Sequence, residues 1–185
     1  MVNTHLGTVA NRRRFVAQGL CGIAASMLPY AQASAASGLP SGDWKSGIAE
    51  VQGLKLHYVE QGTGPLVVLC HGFPELWFSW RHQIPALSAA GFRVVAPDLR
   101  GYGETGGPKA VTQYSIKALV GDIVGLLDVL GEKQCVLVGH DFGAVLTWNA
   151  ALLAPDRFKA IVALSVPYNQ RRESPPVAAI TATWR

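Results

Sequence analysis

The sequence predicts an α/β fold, in which a doubly wound and mostly parallel sheet is covered by helices on both faces. Residues 66–70 and 135–138 are short, wholly apolar runs, which are typical of strands buried on both faces of a sheet. Residues 114–130 carry apolar side chains at every third or fourth position, which indicates an amphipathic helix. Segments of these two kinds alternate along the chain, and this alternation predicts βαβ units.

The predicted fold begins with an antiparallel hairpin. Alternating apolar and polar residues predict strands at 48–51 and 54–59, joined by a tight turn at Gln52-Gly53. Residues 97–109 are rich in glycine and proline and predict a loop. The other elements alternate between strand and helix, and we expect them at 66–70 (strand), 78–90 (helix), 92–96 (strand), 114–130 (helix), 135–138 (strand), 142–153 (helix) and 160–164 (strand).

The composition excludes several classes of protein. The chain has 185 residues and a formal net charge of +4, but the only charged side chains before Asp43 belong to the arginine run 12–14. The remainder holds 13 basic and 12 acidic residues, and this near-neutral balance gives no support for a nucleic-acid partner. No apolar run approaches the roughly 20 residues that span a bilayer. Three cysteines are too few for a disulfide scaffold, and we expect neither a metal nor a cofactor.

Residues 1–35 are typical of an export signal. The arginine run precedes a mildly apolar stretch at 15–28, and small residues at 31–36 offer Ala-x-Ala cleavage sites. An arginine pair followed by Phe15 resembles a bacterial twin-arginine signal. We therefore expect a periplasmic or secreted bacterial protein that meets the membrane only during export. An uncleaved anchor or an amphipathic start is the alternative.

A five-residue turn joins the predicted strand at 135–138 to the helix that follows it. Its sequence, GHDFG at 139–143, has the pattern of a nucleophile elbow with Asp141 in the place of the commoner serine. The spacing of the two glycines permits close packing of strand and helix, and a helix N-terminus favours an anion. A simple N-cap role for Asp141 is the alternative.

A second loop, HGFP at 71–74, follows the earlier buried strand at the same carboxyl end of the sheet. Ligands of open α/β sheets bind at this end. We expect the backbone N–H groups of Phe73 and Phe142 to converge there as a two-donor oxyanion hole.

Five motifs follow one another along residues 47–171. Their order and spacing, taken together, are far more specific to one protein family than any single motif. They are HGFPE at 71–75, RHQIPAL at 81–87, PDLRGYG at 97–103, GHDFG at 139–143 and SVPY at 165–168. With these motifs the chain resembles the α/β-hydrolase superfamily and, within it, the epoxide hydrolases. The resemblance implies an α/β-hydrolase type of sheet, in which Asp141 opens a small apolar epoxide through an alkyl-enzyme ester.

An aspartate at the elbow itself selects a class of substrate. Attack by a carboxylate on an ester carbonyl gives a reactive anhydride, whereas attack on a saturated carbon gives an ordinary ester that water can hydrolyse. The leaving group is then an epoxide oxygen or a halide. Haloalkane and haloacid dehalogenases are the alternative, although Phe73 and Phe142 lack the side-chain N–H donors that commonly hold halide in those enzymes.

Four further residues flank the predicted site and are expected to bind substrate, namely His71, Pro74, Trp77 and His140. Support of the loops, or a general-base role, is the alternative for the two histidines, and plain packing is the alternative for Trp77. Cys70 and Cys135 are expected to be free, buried thiols, because their positions along neighbouring strands keep them too far apart for a disulfide.

The resemblance also implies parts that the chain does not contain. They are a cap domain with two tyrosines, the last strands, an acid and the histidine that activates water. We therefore expect residues 42–170 to form the N-terminal part of such a core, residues 171–185 to be an irregular tail or the start of the cap, and the chain alone to be inactive. The strand at 160–164 would then present an apolar edge. A non-catalytic remnant of a hydrolase gene is a further alternative.

Overall fold

The computed structural model describes residues 43–168. The predictions of an export signal at 1–35 and of a tail at 171–185 lie outside the described residues. None of the helices in the described part is long and apolar enough to cross a membrane.

Six strands and three α-helices make up the described part, together with short 3₁₀ turns. The strands are β1 (Lys45–Val51), β2 (Leu54–Gln61), β3 (Leu66–Cys70), β4 (Arg93–Pro97), β5 (Cys135–His140) and β6 (Phe158–Leu164). The helices are α1 (Gln83–Ala89), α2 (Ile116–Val129) and α3 (Phe142–Leu153). The 3₁₀ turns cover Trp77–Trp80, Gly103–Thr105, Val111–Tyr114 and Pro155–Arg157.

The strands form one mixed sheet in the order β1-β2-β4-β3-β5-β6. The hairpin β1-β2 is antiparallel, β2 joins β4 antiparallel, and β4, β3, β5 and β6 run parallel. The predicted doubly wound sheet with an antiparallel start is therefore confirmed. Because β3 and β5 are adjacent, the loops after them meet at the same edge.

The predicted helix at 78–90 is wrong as a single element. The structure has a 3₁₀ turn at Trp77–Trp80 and a separate helix, α1, that begins at Gln83. Pro85 supplies the physical reason. Its nitrogen cannot donate a hydrogen bond to the carbonyl of Arg81, and its ring would clash with that carbonyl in a continuous helix.

Helix α2 follows the predicted pattern closely. The side chain of Ser115 caps it by accepting a hydrogen bond of 3.3 Å from the N–H of Ala118. The helix ends before Gly131, whose φ of 73° suits the left-handed residue that follows many helices. Its buried apolar residues are Leu119, Val120, Ile123, Leu126 and Leu127.

Two clusters of buried apolar side chains make up the core. The larger one joins α2 and α3 to the sheet and includes Leu56, Val68, Leu126, Leu137 and Leu146. The smaller one is formed by β2, β3, β4 and α1 and includes Val59, Leu69, Trp80, Ile84 and Val94. Cys70 and Cys135 are buried and free, as predicted.

A buried ion pair ties the loop after β4 to helix α2. The guanidinium of Arg100 donates to both carboxylate oxygens of Asp122, at 2.7 and 2.6 Å, and both side chains are nearly inaccessible to solvent. The side-chain amide of Gln52 donates a further hydrogen bond to Asp122, at 2.8 Å. The charges of Arg100 and Asp122 compensate each other for the loss of water, because each has a partner of opposite sign in the low-dielectric interior.

We predict that Asp122→Ala lowers the free energy of unfolding by about 3–5 kcal/mol, because Arg100 is left buried without a counter-charge. Urea denaturation of the full chain measures the change. The matched control is Asp128→Ala, which breaks the pair between the exposed Asp128 carboxylate and Arg157 (2.7 Å) and is expected to cost less than about 1 kcal/mol. Equal losses in the two variants would contradict the prediction.

Candidate active site

Asp141 stands at a sharp turn between β5 and α3. Its φ of 51° and ψ of −116° lie in a region that residues other than glycine rarely adopt. The N–H of Asp141 donates to the carbonyl of Leu164, at 3.2 Å, which fixes the turn to the end of β6. Such strain persists only where the surrounding structure holds it in place, and it is concentrated at functional sites.

Three glycines make room for the turn. A Cβ atom on Gly139 would overlap the backbone of Gly143, and one on Gly143 would overlap the carbonyl oxygens of Cys70 and His71. A Cβ atom on Gly72 would lie 2.7 Å from the Cβ atom of Asp141. Helix α3 therefore packs directly on the backbone at the end of β3, and the loop after β3 lies against the nucleophile.

The Asp141 carboxylate accepts a hydrogen bond from the loop after β3, because the Phe73 N–H donates to Oδ1 at 3.0 Å. The backbone N–H of Phe142, the next residue along the chain, also favours the charged carboxylate. These two donors, with a smaller contribution from His140, lower the pKa of Asp141 below its ordinary value. The side chain makes no N-cap hydrogen bond to α3, so the N-cap alternative is wrong.

The loop after β3 is held by its own hydrogen bonds. Glu75 accepts a bond of 3.0 Å from the Gly72 N–H, and the Glu75 N–H donates back to the Gly72 carbonyl. The peptide bond between Phe73 and Pro74 is cis. Pro74 and the Phe73 ring are exposed beside the carboxylate, so the loop presents an apolar surface at the site.

His71 does not fit the predicted contact with substrate, because its ring is fully buried. Nδ1 hydrogen-bonds the carbonyl of Gly72 at 2.9 Å, and Nε2 accepts the N–H of Leu99 at 3.0 Å. Burial lowers the pKa of His71, which favours the neutral ring that this pattern requires. His71 is therefore a positioning residue that joins the loops after β3 and β4.

His140 and Trp77 occupy different surroundings. The His140 ring is 38% exposed and lies 3.5 Å from the Glu75 carboxylate, beside a small cavity next to Trp80. Trp77 packs edge-to-face on Trp44, at 5.2 Å between ring centroids, in the smaller core cluster. The packing alternative accounts for these contacts of Trp77, whereas His140 remains open to solvent.

Tyr102 lies in the motif PDLRGYG at 97–103, and no role in the site was expected for it. Its ring packs edge-to-face on His71 with 5.0 Å between centroids. Together with Phe73 and Phe142 it lines a cavity of about 300 Å³. Burial, and then the negative charge of Asp141, raise the pKa of its hydroxyl, which favours the neutral form.

Comparison with known proteins identifies the family. The family model of the alpha/beta hydrolase fold matches residues 65–185. The chain belongs to this family. Among curated relatives of this α/β hydrolase, epoxide hydrolase A of Mycobacterium tuberculosis is 52% identical over 139 residues, which are 74% of this chain and 43% of that protein. Bifunctional epoxide hydrolase 2 of Sus scrofa is 54% identical over 116 residues, or 63% of this chain and 21% of that protein.

Solved structures give the same result for this α/β hydrolase. An epoxide hydrolase from Vigna radiata matches with a TM-score of 0.69 and 51% identity, over 76% of this chain and 46% of that one. Epoxide hydrolase A from Mycobacterium thermoresistibile matches with a TM-score of 0.70 and 49% identity, over 76% and 44%. The chain therefore spans between a fifth and a half of the length of the relatives it matches.

We predict that Asp141 titrates below the ordinary carboxyl pKa of about 3.9, and that Gly72→Ala raises its pKa by displacing the Phe73 N–H. Because the folded-state pKa is lowered, the interactions of the Asp141 carboxylate stabilise the fold above the ordinary pKa, and this stabilisation is lost as the pH falls through the lowered value. Carbon-13 NMR titration measures the pKa.

The control variant is Gly121→Ala, whose added Cβ atom would meet the end of the Gln52 side chain, which hydrogen-bonds Asp122 and not Asp141. It is expected to leave the Asp141 titration unchanged. An Asp141 pKa at or above the ordinary value in the unaltered chain would refute the assigned hydrogen bonds.

Proposed function

We propose that this chain carries the nucleophilic half of an epoxide hydrolase. The observation that supports the proposal is the Asp141 carboxylate, held at a strained elbow as an anion by the N–H groups of Phe73 and Phe142. Relatives that bear the name epoxide hydrolase, at about 50% identity, support the same assignment. The proposed substrate is a small, apolar epoxide.

The first step forms an ester. An Asp141 carboxylate oxygen attacks a carbon of the epoxide ring, the bond from that carbon to the ring oxygen breaks, and the released alkoxide takes a proton from water or from a neighbouring hydroxyl. The Tyr102 hydroxyl, in the cavity that Phe73 and Phe142 also line, is a candidate for such a donor. The exposed ring of Phe73 and the ring of Phe142 provide apolar contact for the rest of the substrate.

The second step hydrolyses the ester. Water attacks the Asp141 carbonyl carbon, negative charge develops on the carbonyl oxygen, and the bond to the diol oxygen then breaks. The N–H groups that now bind the carboxylate are suited to stabilise this oxyanion. The step also needs a base for the water. The histidine rings at 57 and 71 are already engaged in buried hydrogen bonds, and Nδ1 of His140 lies 3.5 Å from the Glu75 carboxylate. We therefore expect the ester to accumulate.

Halide displacement would give the same kind of ester. Phe73 and Phe142 offer only backbone N–H groups to a leaving halide, and the indole N–H of Trp148 already donates to the Val166 carbonyl at 3.0 Å. These contacts favour the epoxide over the halide, and halide release is kept as an outcome of the test.

Incubation of the full chain with styrene oxide is expected to attach one hydroxyalkyl group to Asp141, with little or no diol formed. Intact-mass and peptide mass spectrometry locate the adduct, and gas chromatography measures the diol. Asp141→Ala is expected to abolish the adduct, whereas the matched control Asp43→Ala, at an exposed carboxylate outside the site, retains it.

Two results of this experiment would overturn the proposal. One is an adduct that survives in Asp141→Ala, and the other is a folded chain that gives neither adduct nor diol. Release of halide from a chloroalkane, without reaction of the epoxide, would replace the proposal with the dehalogenase alternative.

We also propose that residues 1–35 direct export through the twin-arginine route, on the strength of the arginine run and the small residues that follow the apolar stretch. A fusion of residues 1–41 to a folded periplasmic reporter is expected to be exported in a bacterium. Replacing Arg12 and Arg13 by lysine keeps the charge and is expected to abolish export. Equal export of both fusions would contradict this route.

A further inference from the structure

Three residues outside the Asp141 site form a continuous chain of hydrogen bonds. The Oγ atom of Ser46 lies 3.0 Å from Nε2 of His57, and Nδ1 of the same ring lies 2.9 Å from Oδ2 of Asp98. A serine, a histidine and an aspartate linked in this order through these atoms have the connectivity of a Ser-His-Asp triad. Such a triad is recognised by its geometry, because its members follow different orders in unrelated chains.

The register of the sheet produces this arrangement. Ser46 on β1 pairs with Val59 on β2, and Ile48 pairs with His57, so Ser46 and His57 are diagonal neighbours on one face. The Asp98 N–H donates to the His57 carbonyl at 3.0 Å, which continues the antiparallel pairing just past the end of β4. Ser46 and His57 are thus placed by β1 and β2, and Asp98 by the residue position that directly follows β4.

Asp98 is suited to orient the imidazole. It is 1% exposed, and its carboxylate also accepts the Trp77 N–H at 3.0 Å and the Glu104 N–H at 3.2 Å. An ionised carboxylate held in this way accepts the proton of His57 Nδ1, and this leaves Nε2 with a lone pair directed at Ser46. The ring is 2% exposed and has little freedom to turn away.

Solvent reaches the serine end of this chain of hydrogen bonds. Ser46 is exposed, whereas His57 and Asp98 are buried behind it. Four strand spacings separate β1 from β5 in the sheet order, which is roughly 19 Å at about 4.8 Å per spacing. Ser46, the exposed end of the group, therefore lies well apart from Asp141.

We propose that Ser46 is a nucleophile activated by His57 and Asp98, and that it accepts acyl groups from activated aryl esters. Ser46 Oγ bonds to the acyl carbon as its proton passes to His57 Nε2, and the aryl oxide leaves with that proton. Water then attacks the acyl-serine in the same way, which releases the carboxylic acid and restores Ser46.

The surrounding charge narrows the class of substrate. The Glu104 carboxylate is exposed and lies 3.9 Å from His57 Nε2. It stabilises the protonated imidazole that forms during attack, and it repels an anionic acyl group. A neutral acyl group, as in a p-nitrophenyl ester of a short-chain acid, fits this position.

The proposal is tested on the full chain with a neutral fluorophosphonate probe, which phosphonylates activated serines, followed by peptide mapping. The expected label is on Ser46, in preference to every other serine of the chain. Ser46→Ala, which alters only an exposed hydroxyl, is expected to lose the label and the hydrolysis of p-nitrophenyl acetate. The control Thr112→Ala removes another exposed hydroxyl and is expected to retain both.

His57→Gln tests the role of the base. It is expected to slow labelling of Ser46 by about 100-fold, within the range of general-base catalysis, while circular dichroism reports whether the variant is folded. Labelling at another serine, no labelling of the folded chain, or an unchanged rate in folded His57→Gln would overturn the proposal. If His57→Gln does not fold, the position of the label in the unaltered chain still tests the proposal.

Ser46→Ala is expected to leave the reaction of Asp141 with styrene oxide unchanged. The failure of one proposal can therefore be distinguished from the failure of the other.

Discussion

Direct contact between backbone segments, at the point where α3 begins, is the constraint on which the candidate site depends. Gly143 lies on the carbonyl groups at the end of β3, and Gly72 lies on the Cβ atom of Asp141. A side chain at either glycine would separate the two loops. Their approach brings the Phe73 N–H to 3.0 Å from the Asp141 carboxylate, so this donor of the anion site depends on packing that only glycine permits.

Buried charges hold the third loop, which follows β4, beside the first two. Asp98 binds backbone groups of the Trp77 turn and the imidazole of His57, and Arg100 binds Asp122 on α2. Buried charges of this kind do not tolerate loss of a partner, so they fix the loop in one arrangement. The rings of His71 and Tyr102 pack edge-to-face between the loops after β3 and β4, and this packing supports the site.

Local pattern predicted most of the elements. The bounds of β3 and α3 are those expected, because an apolar strand and a helix that ends before a proline are both determined by neighbouring residues. The expected helix at 78–90 was wrong because Pro85 cannot donate to the carbonyl four residues earlier, so the helix begins only at Gln83. Asp141 and the Phe73 loop were expected from motif and order, whereas the burial of His71 depends on the loop after β4, which is distant in sequence.

The sequence by itself determined the α/β class, the order of strands and helices and the aspartate at the elbow, since periodicity, glycine spacing and motif order are local properties. Only the tertiary structure decided which side chains share hydrogen bonds. Ser46, His57 and Asp98 carry no common motif, and they meet because strand register brings residues 11 and 41 positions apart into contact. Register and burial arise from packing of the whole sheet, so no segment of the sequence specifies them alone.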